Sequence, residues 1–212
     1  MSGSIAHVDI IGREVVKSLK QNNFDAFYFS KRIEAVEYIL NLIPQGAKVG
    51  CGGSVTLKEL NIIELAKAKG AKILDHNLPG LTPEEKSRIR HEQLACQVFL
   101  TSTNALTLDG VLVNMDGVGN RVGAMTFGPE KVIIVAGVNK ICKDINAAIE
   151  RIELVASPQN NLRLQTQNPC TVKGYCMDCQ GKSRICNVLS IMYKKPFATD
   201  VTVVVIGESL GY

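Results

Sequence analysis

Four cysteines crowd into seventeen residues near the carboxyl end of the chain: Cys170, Cys176, Cys179 and Cys186, spaced C-x5-C-x2-C-x6-C. Thiolates this dense in a chain without secretory features usually hold a metal ion or an iron–sulfur cluster. The spacing is neither the ferredoxin run C-x2-C-x2-C nor a pair of Cys-x-x-Cys knuckles. A redox-active Cys176/Cys179 pair, or four plain structural thiols, is the competing reading.

Two further stretches carry chemistry. Gly50-Cys51-Gly52-Gly53-Ser54-Val55-Thr56 falls between a predicted strand and a predicted helix. Its glycines let the backbone pass close to a ligand, its N–H groups suit an anion, and Ser54 and Thr56 add hydroxyls. It is neither the dinucleotide fingerprint nor a P-loop. Without a ligand it is a tight turn with Ser54 as N-cap, but its place at the carboxyl end of an expected parallel strand favours a ligand loop. Cys51 is either a nucleophile or, preferably, a small buried residue filling that turn.

The second stretch runs from Thr101 to Arg121. Asp109 and Asp116 suit an acid or base, and Arg121 suits a two-point grip on carboxylate or phosphate. Asn104, Asn114 and Asn120 can orient polar ligand atoms, with Gly117 and Gly119 keeping the backbone close. Asp109-Gly110 and Asp116-Gly117 are also what tight hairpins require. Together with Arg121 the stretch reads as a site. Lys140 either reaches an anion at the sheet edge or faces solvent. Cys96 and Cys142 read as core, and His7, His76 and His91 as packing or surface residues, which argues against a histidine-based triad.

These residues need a scaffold, and the pattern supplies one. Strands are expected at 24–29, 48–50, 72–74, 97–100, 131–136 and 201–206, with helices at 7–21, from Ser30 to about 40, from Ser54 to Lys69, from Thr82 onward and over 144–155. A hairpin is expected over 106–114 around Asp109-Gly110. Apolar strands alternating with helices predict an α/β fold with a mainly parallel sheet covered on both faces. At 212 residues and 46% apolar, one domain over 1–212 is expected. The cysteine-rich segment, about 157–187, reads as an insertion ahead of the last strands.

Bulk properties narrow the function. A formal charge of +4 biases the chain weakly toward anionic small molecules. Aromatics are 5% with no Trp, and no basic run interleaves with them, which excludes a nucleic-acid platform. No stretch reaches the roughly 18 apolar residues needed to span a membrane. The first nine residues show no leader pattern, so cytoplasm is expected.

The chain resembles the LUD domain of lactate-utilization proteins. The matching pieces are Gly50 to Leu60, Thr103 to Val122, Phe127-Gly128-Pro129-Glu130 through Lys140, and a tail carrying Asn168-Pro169-Cys170, Gly174-Tyr175-Cys176-Met177-Asp178-Cys179 and Arg184-Ile185-Cys186-Asn187. The resemblance implies a three-layer α/β sandwich akin to CoA-transferases and sugar-phosphate isomerases, with a ligand site gathered from a glycine-rich loop and an acidic loop like that at Asp109. It implies a role in lactate or other organic-acid utilization and redox partner proteins of a lactate oxidation system, and it puts iron–sulfur slightly ahead of zinc at the cysteines, with both left open. Glu59 is the loose match to a transferase nucleophile. The alternatives are an isomerase- or transferase-type enzyme and a non-catalytic assembly subunit.

Overall fold

The computed structural model describes residues 3–212, with side chains from residue 6; Met1 and Ser2, where the segment read for a leader begins, lie outside the described residues. The first half runs α1 (Gly3–Gln21), β1 (Asp25–Phe29), α2 (Arg32–Asn41), β2 (Lys48–Cys51), α3 (Val55–Glu59), α4 (Ile62–Ala68), β3 (Lys72–Asp75), α5 (Pro83–Gln93), β4 (Val98–Ser102), β5 (Ala105–Thr107) and β6 (Leu112–Asp116). The second half runs α6 (Asn120–Thr126), β7 (Lys131–Gly137), a 3-10 turn (Val138–Lys140), β8 (Ile141–Cys142), α7 (Ile145–Arg151), a π-helical turn (Ile152–Ala156), α8 (Ser157–Arg163), α9 (Cys170–Lys173), β9 (Val188–Met192) and β10 (Asp200–Ile206). No helix among the described residues is long and apolar enough to cross a membrane.

Six strands form an all-parallel sheet in the order β1-β10-β7-β4-β2-β3. Its strands are apolar on both faces because both faces are covered. In β10, Val201, Val203 and Val205 join one core with Val15, Val16 and Leu19 of α1, while Val204 and Ile206 join another with Ala35 and Ile39 of α2 and Ile62 and Ala66 of α4. This period of two makes three layers. A smaller sheet, β8-β5-β6-β9, adds Leu106, Leu112 and Met192 to the first core. Its other face packs Ala105 and Val113 against Ala148 of α7.

The caps show where local chemistry prevailed. Thr82 and Glu85 exchange hydrogen bonds in a capping box, with Pro83 opening α5. Ser54 caps α3, accepting from Leu57 N at 3.3 Å. The helix expected to run on to Lys69 breaks where Asn61 takes a left-handed conformation (φ 51°) and α4 restarts. Ser30 does not cap α2: Lys31 holds that position, and the Glu208 carboxylate accepts from Arg32 N at 2.7 Å. Segment 157–187 begins inside a helical run unbroken from Ile145, and α9 is the one further helix in it.

The β5–β6 hairpin turns at Asp109-Gly110 against the end of α1. Asn22 Nδ2 donates to Asp109 O at 2.8 Å, and Gly110 adopts φ +79°. A Cβ on Gly110 would lie 2.7 Å from Leu19 N, whereas one on Gly80 (φ +82°) would meet nothing within 4 Å. Gly110→Ala is therefore expected to cost roughly 2–5 kcal/mol, strain plus overlap, and Gly80→Ala only about 1–2 kcal/mol. Urea unfolding of the two variants measures the difference.

Candidate functional site

The carboxyl ends of β2, β3, β4 and β7 open onto one cleft of about 260 Å³. The chain leaves β2 for the sheet edge at β3, then crosses back through α5 to β4 on the other side of β2. The loops after β2 and β4 therefore diverge, leaving the crevice where α/β proteins hold ligands. Gly52, Gly53, Ser54 and Thr56 line it from the first loop, and Ser102, Thr103 and Asn104 from the second. Asp116, Gly117, Asn120 and Arg121 form a wall, and Lys140 arrives from the turn after β7.

Lys140 is 3% exposed. Its Nζ donates to Ser102 Oγ at 2.8 Å, Thr56 Oγ1 at 2.9 Å and the Thr103 carbonyl at 3.2 Å. Among the described residues no carboxylate stands within ion-pair distance of it. Burial, then the charges of Arg151 and Arg121, pull its pKa from 10.5 down to about 7, with Glu59 opposing weakly.

Arg121 is partly buried, with 18% of its side chain exposed, and its donors are spent inside the protein. Nη1 bonds Asn114 Oδ1 at 2.6 Å and the Ser102 carbonyl at 3.3 Å. Nη2 bonds Asn104 Oδ1 at 2.9 Å and the Met115 carbonyl at 2.8 Å, and Nε lies 3.7 Å from Asp116. Four N–H groups are engaged and the fifth faces a carboxylate. Arg121 therefore holds the wall and has no fork free for a ligand. Asp116 is equally committed: its carboxylate accepts from Val118 N, Gly119 N and Val122 N at 3.0–3.2 Å, tying down the start of α6.

Other cations face the opening. Arg163 of α8 bonds Asn160 Oδ1 at 2.8 Å and Tyr212 Oη at 2.9 Å, and its guanidinium would lie 3.3 Å from a Cβ on Gly53. Arg90 of α5 has a buried Nε without a partner. His76 pairs with Gln93 at 3.2 Å, and burial, then Arg90, lowers its pKa and keeps the ring neutral. Arg90, Arg121, Arg163 and, when protonated, Lys140 stand against the side-chain carboxylate of Asp116 in the lining, so four minus one leaves an excess of three positive charges with Lys140 protonated and two with it neutral.

Several expected residues fall elsewhere. Gly50 and Cys51 lie within β2. A Cβ on Gly50 would press to 3.0 Å on Cys96 and Phe99, and Cys51 is buried with its thiol pushed up to about 12, by burial first. It packs in the core beneath the loop, which disfavours the thiolate that a nucleophile needs. Asp109 sits in the hairpin turn, where its carboxylate accepts from Thr107 Oγ1. Glu59 accepts from Gly211 N at 2.8 Å outside the cleft, and Gly119 caps α6 behind the wall. Sequence reasoning missed His76, Asn77, Arg90, Arg163 and Tyr212. The first two directly follow a parallel strand, a positional signal that was available; the last three come from distant segments.

The four clustered cysteines are free thiols sharing one small cavity with Ser157, Asn161 and Asn168. The thiol of Cys170 is raised by burial first and then by the charges of Cys186, Cys179 and Cys176. Yet among the described residues no three His, Cys, Asp or Glu side chains stand at metal-ligating spacing. The donors fit a thiophilic group in type, while their separation does not match bound geometry.

A parallel sheet whose carboxyl edge carries a cation-rich cleft defines the class: a three-layer α/β protein with its site at the strand ends. The chain belongs to the LUD-domain family, whose model matches residues 12–206. A DUF162 family protein from Deinococcus radiodurans has a similar structure, with a TM-score of 0.53, 12% identity, and 94% of this chain and 98% of that chain covered. At that identity the likeness shows the fold alone. Ribose 5-phosphate isomerase from Plasmodium falciparum is more distant, with a TM-score of 0.37, 14% identity and 78% of each chain covered. The eIF2B beta protein from Chaetomium thermophilum has a TM-score of 0.38 and 14% identity, over 54% of this chain and 44% of that chain. No curated protein matches.

Arg121→Lys should remove the planar fork and leave buried acceptors unmet, lowering stability by about 2–4 kcal/mol. Asp109→Asn, remote from the cleft, should leave binding there unchanged. Urea midpoints for the first and calorimetric titration with inorganic phosphate for the second check the two roles.

Proposed function

We propose that the cleft receives a small organic anion, carboxylate or phosphate, and that Lys140 is its proton-transfer group. One observation carries the reading: a buried amine at the floor of the cleft, bonded to two hydroxyls and a carbonyl, without a carboxylate partner. Such a lysine lacks a counter-charge that an anionic guest can bring. Arg90 and Arg163 at the opening support the same sign of ligand. An amine with a pKa of about 7 suits general acid–base work at neutral pH. The chemistry it supports is proton transfer beside an anionic group, as in an isomerase- or transferase-type reaction, with Lys140 in the role first given to Asp109 or Asp116.

Family membership supports placing that anion in lactate or related organic-acid metabolism. The four-cysteine segment supports a metal-bearing arm, zinc or iron–sulfur, and the exposed Val172, Tyr175 and Met177 beside it support a docking face for a redox partner.

The cleft reading is tested by titrating inorganic phosphate, L-lactate and a sugar phosphate calorimetrically. Lys140→Met should weaken binding of whichever anion binds by about 10–100-fold. In the wild type, affinity should fall as pH rises through about 7, with proton uptake on binding above that value. Binding unaffected by the substitution and flat with pH would falsify the assignment.

Stability gives an independent sign. The folded pKa of Lys140 lies below its unfolded value, so between about 7 and 10.5 the unfolded chain binds the extra proton. Wild-type stability should therefore climb across that window relative to Lys140→Met, and urea unfolding at several pH values reads the slope.

A further inference from the structure

The tautomer of His76 is set by the residue beneath it. Gln93, the last residue of α5, is 1% exposed and lies across the ends of β2 and β3. Its Nε2 donates to the Cys51 carbonyl at 2.8 Å and the Leu74 carbonyl at 2.7 Å. These two acceptors fix which way the amide faces, because the reverse orientation would set its oxygen against both carbonyls. Gln93 Oε1 is therefore left to His76 Nδ1, 3.2 Å away. An amide oxygen only accepts, so Nδ1 carries the proton of the neutral ring.

The other ring nitrogen then presents a bare lone pair. Burial first, and then the charge of Arg90, keep the ring neutral against the opposing pull of Asp75, Gln93 and Asp116. Among the described residues Nε2 has no hydrogen-bond partner. Nor is it sealed in the interior, because among the described residues only Arg90 Nε is both buried and unpaired. His76 lines the cleft, and Nε2 is the nitrogen that opens on it.

A fixed acceptor among cations is informative. Lysine and arginine donors draw negative charge and discriminate weakly between anions of one shape. A lone pair set against a bare anionic oxygen repels it, whereas an O–H in the same place makes a hydrogen bond. Donors and acceptor together describe a guest that carries both a charge and a proton donor.

We propose that His76 Nε2 determines the specificity of the cleft by accepting a hydrogen bond from its ligand, which is an anion bearing an O–H group beside its charge, as hydrogen phosphate or a hydroxy acid does. This deepens the anion reading of the cleft and rests on it. Arg90 and Lys140 meet the charge, His76 meets the hydroxyl, and Gln93 is a positioning residue that keeps the proton on Nδ1.

Matched pairs of probes isolate the hydroxyl. Hydrogen phosphate and sulfate share a shape, and glycolate differs from acetate by the hydroxyl alone. Each is titrated calorimetrically, near neutral pH, into the wild type, His76→Asn and His76→Gln. Asparagine keeps an amide N–H where Nδ1 stood and lacks any atom at Nε2, whereas glutamine returns an oxygen to that place. In the wild type the hydroxyl-bearing member of at least one pair should bind about tenfold or more tightly, and the pair that shows it identifies the source of the hydroxyl. That ratio should fall about tenfold in His76→Asn and recover in part in His76→Gln. Nitrogen-15 NMR of the wild type, which needs no variant, should show the Nδ1–H form, and Gln93→Leu should move the ring toward the Nε2–H form. Equal affinities within both pairs, a ratio unchanged in His76→Asn, a wild-type proton on Nε2 or a tautomer unmoved in Gln93→Leu overturns the proposal and leaves the anion reading standing. Binding of none of the probes rejects both.

Discussion

A guanidinium taken out of water must have its donors met, and in this protein that requirement shapes the cleft. Arg121 lies among the ends of β4 and β6, the start of β5 and the beginning of α6, and it takes an acceptor from nearly every one of them. Leaving any of these groups unpaired in a low-dielectric interior costs more than an ordinary hydrogen bond returns. The wall has few alternative arrangements because each would strand a donor or an acceptor. Asp116 completes the arrangement by offsetting part of the charge while holding three backbone N–H groups.

Lys140, in the same cleft, meets the opposite circumstance. Its partners are two hydroxyls and a carbonyl, all neutral, and the nearby guanidinium groups of Arg151 and Arg121 repel its proton. Burial without a counter-charge shifts a lysine's proton affinity instead of pairing it. Two cations in one site therefore differ in kind: Arg121 faces the Asp116 carboxylate, whereas Lys140 has its donors met by neutral acceptors and, among the described residues, no carboxylate within ion-pair distance. Arginine suits the first role, with a planar fork that keeps its proton, and lysine the second, because its affinity moves readily.

What the sequence revealed tracks how local the physics was. The helix start at Thr82, the Asp109-Gly110 hairpin and the buried strands all depend on residues a few positions apart, and each is found where expected. The break at Asn61 was hidden because the apolar pattern continues across it. The helix expected over 144–155 runs on to Arg163: the chain opens a π turn just before Pro158, whose missing N–H would otherwise interrupt the helix. The site divided the same way. The glycine loop and the 114–121 wall were visible as motifs. That Arg121 is fully engaged, that Asp109 faces α1 and that Lys140 lacks an anion depend on contacts between segments up to 87 positions apart.

The continuous helix from Ile145 to Arg163 explains why the cysteine segment lies where it does. At its start Arg151 reaches the carbonyls of Asn104 and Asn139, beside the cleft floor. At its end Arg163 enters the cleft, and between them the π turn and Ser157 serve the thiols. A helix is stiff along its axis, so groups fixed on it move together. The cysteine segment is folded back over this rod and pinned to the wall built around Arg121. The two regions are built on the same helix and the same wall, even though no cysteine lines the cleft.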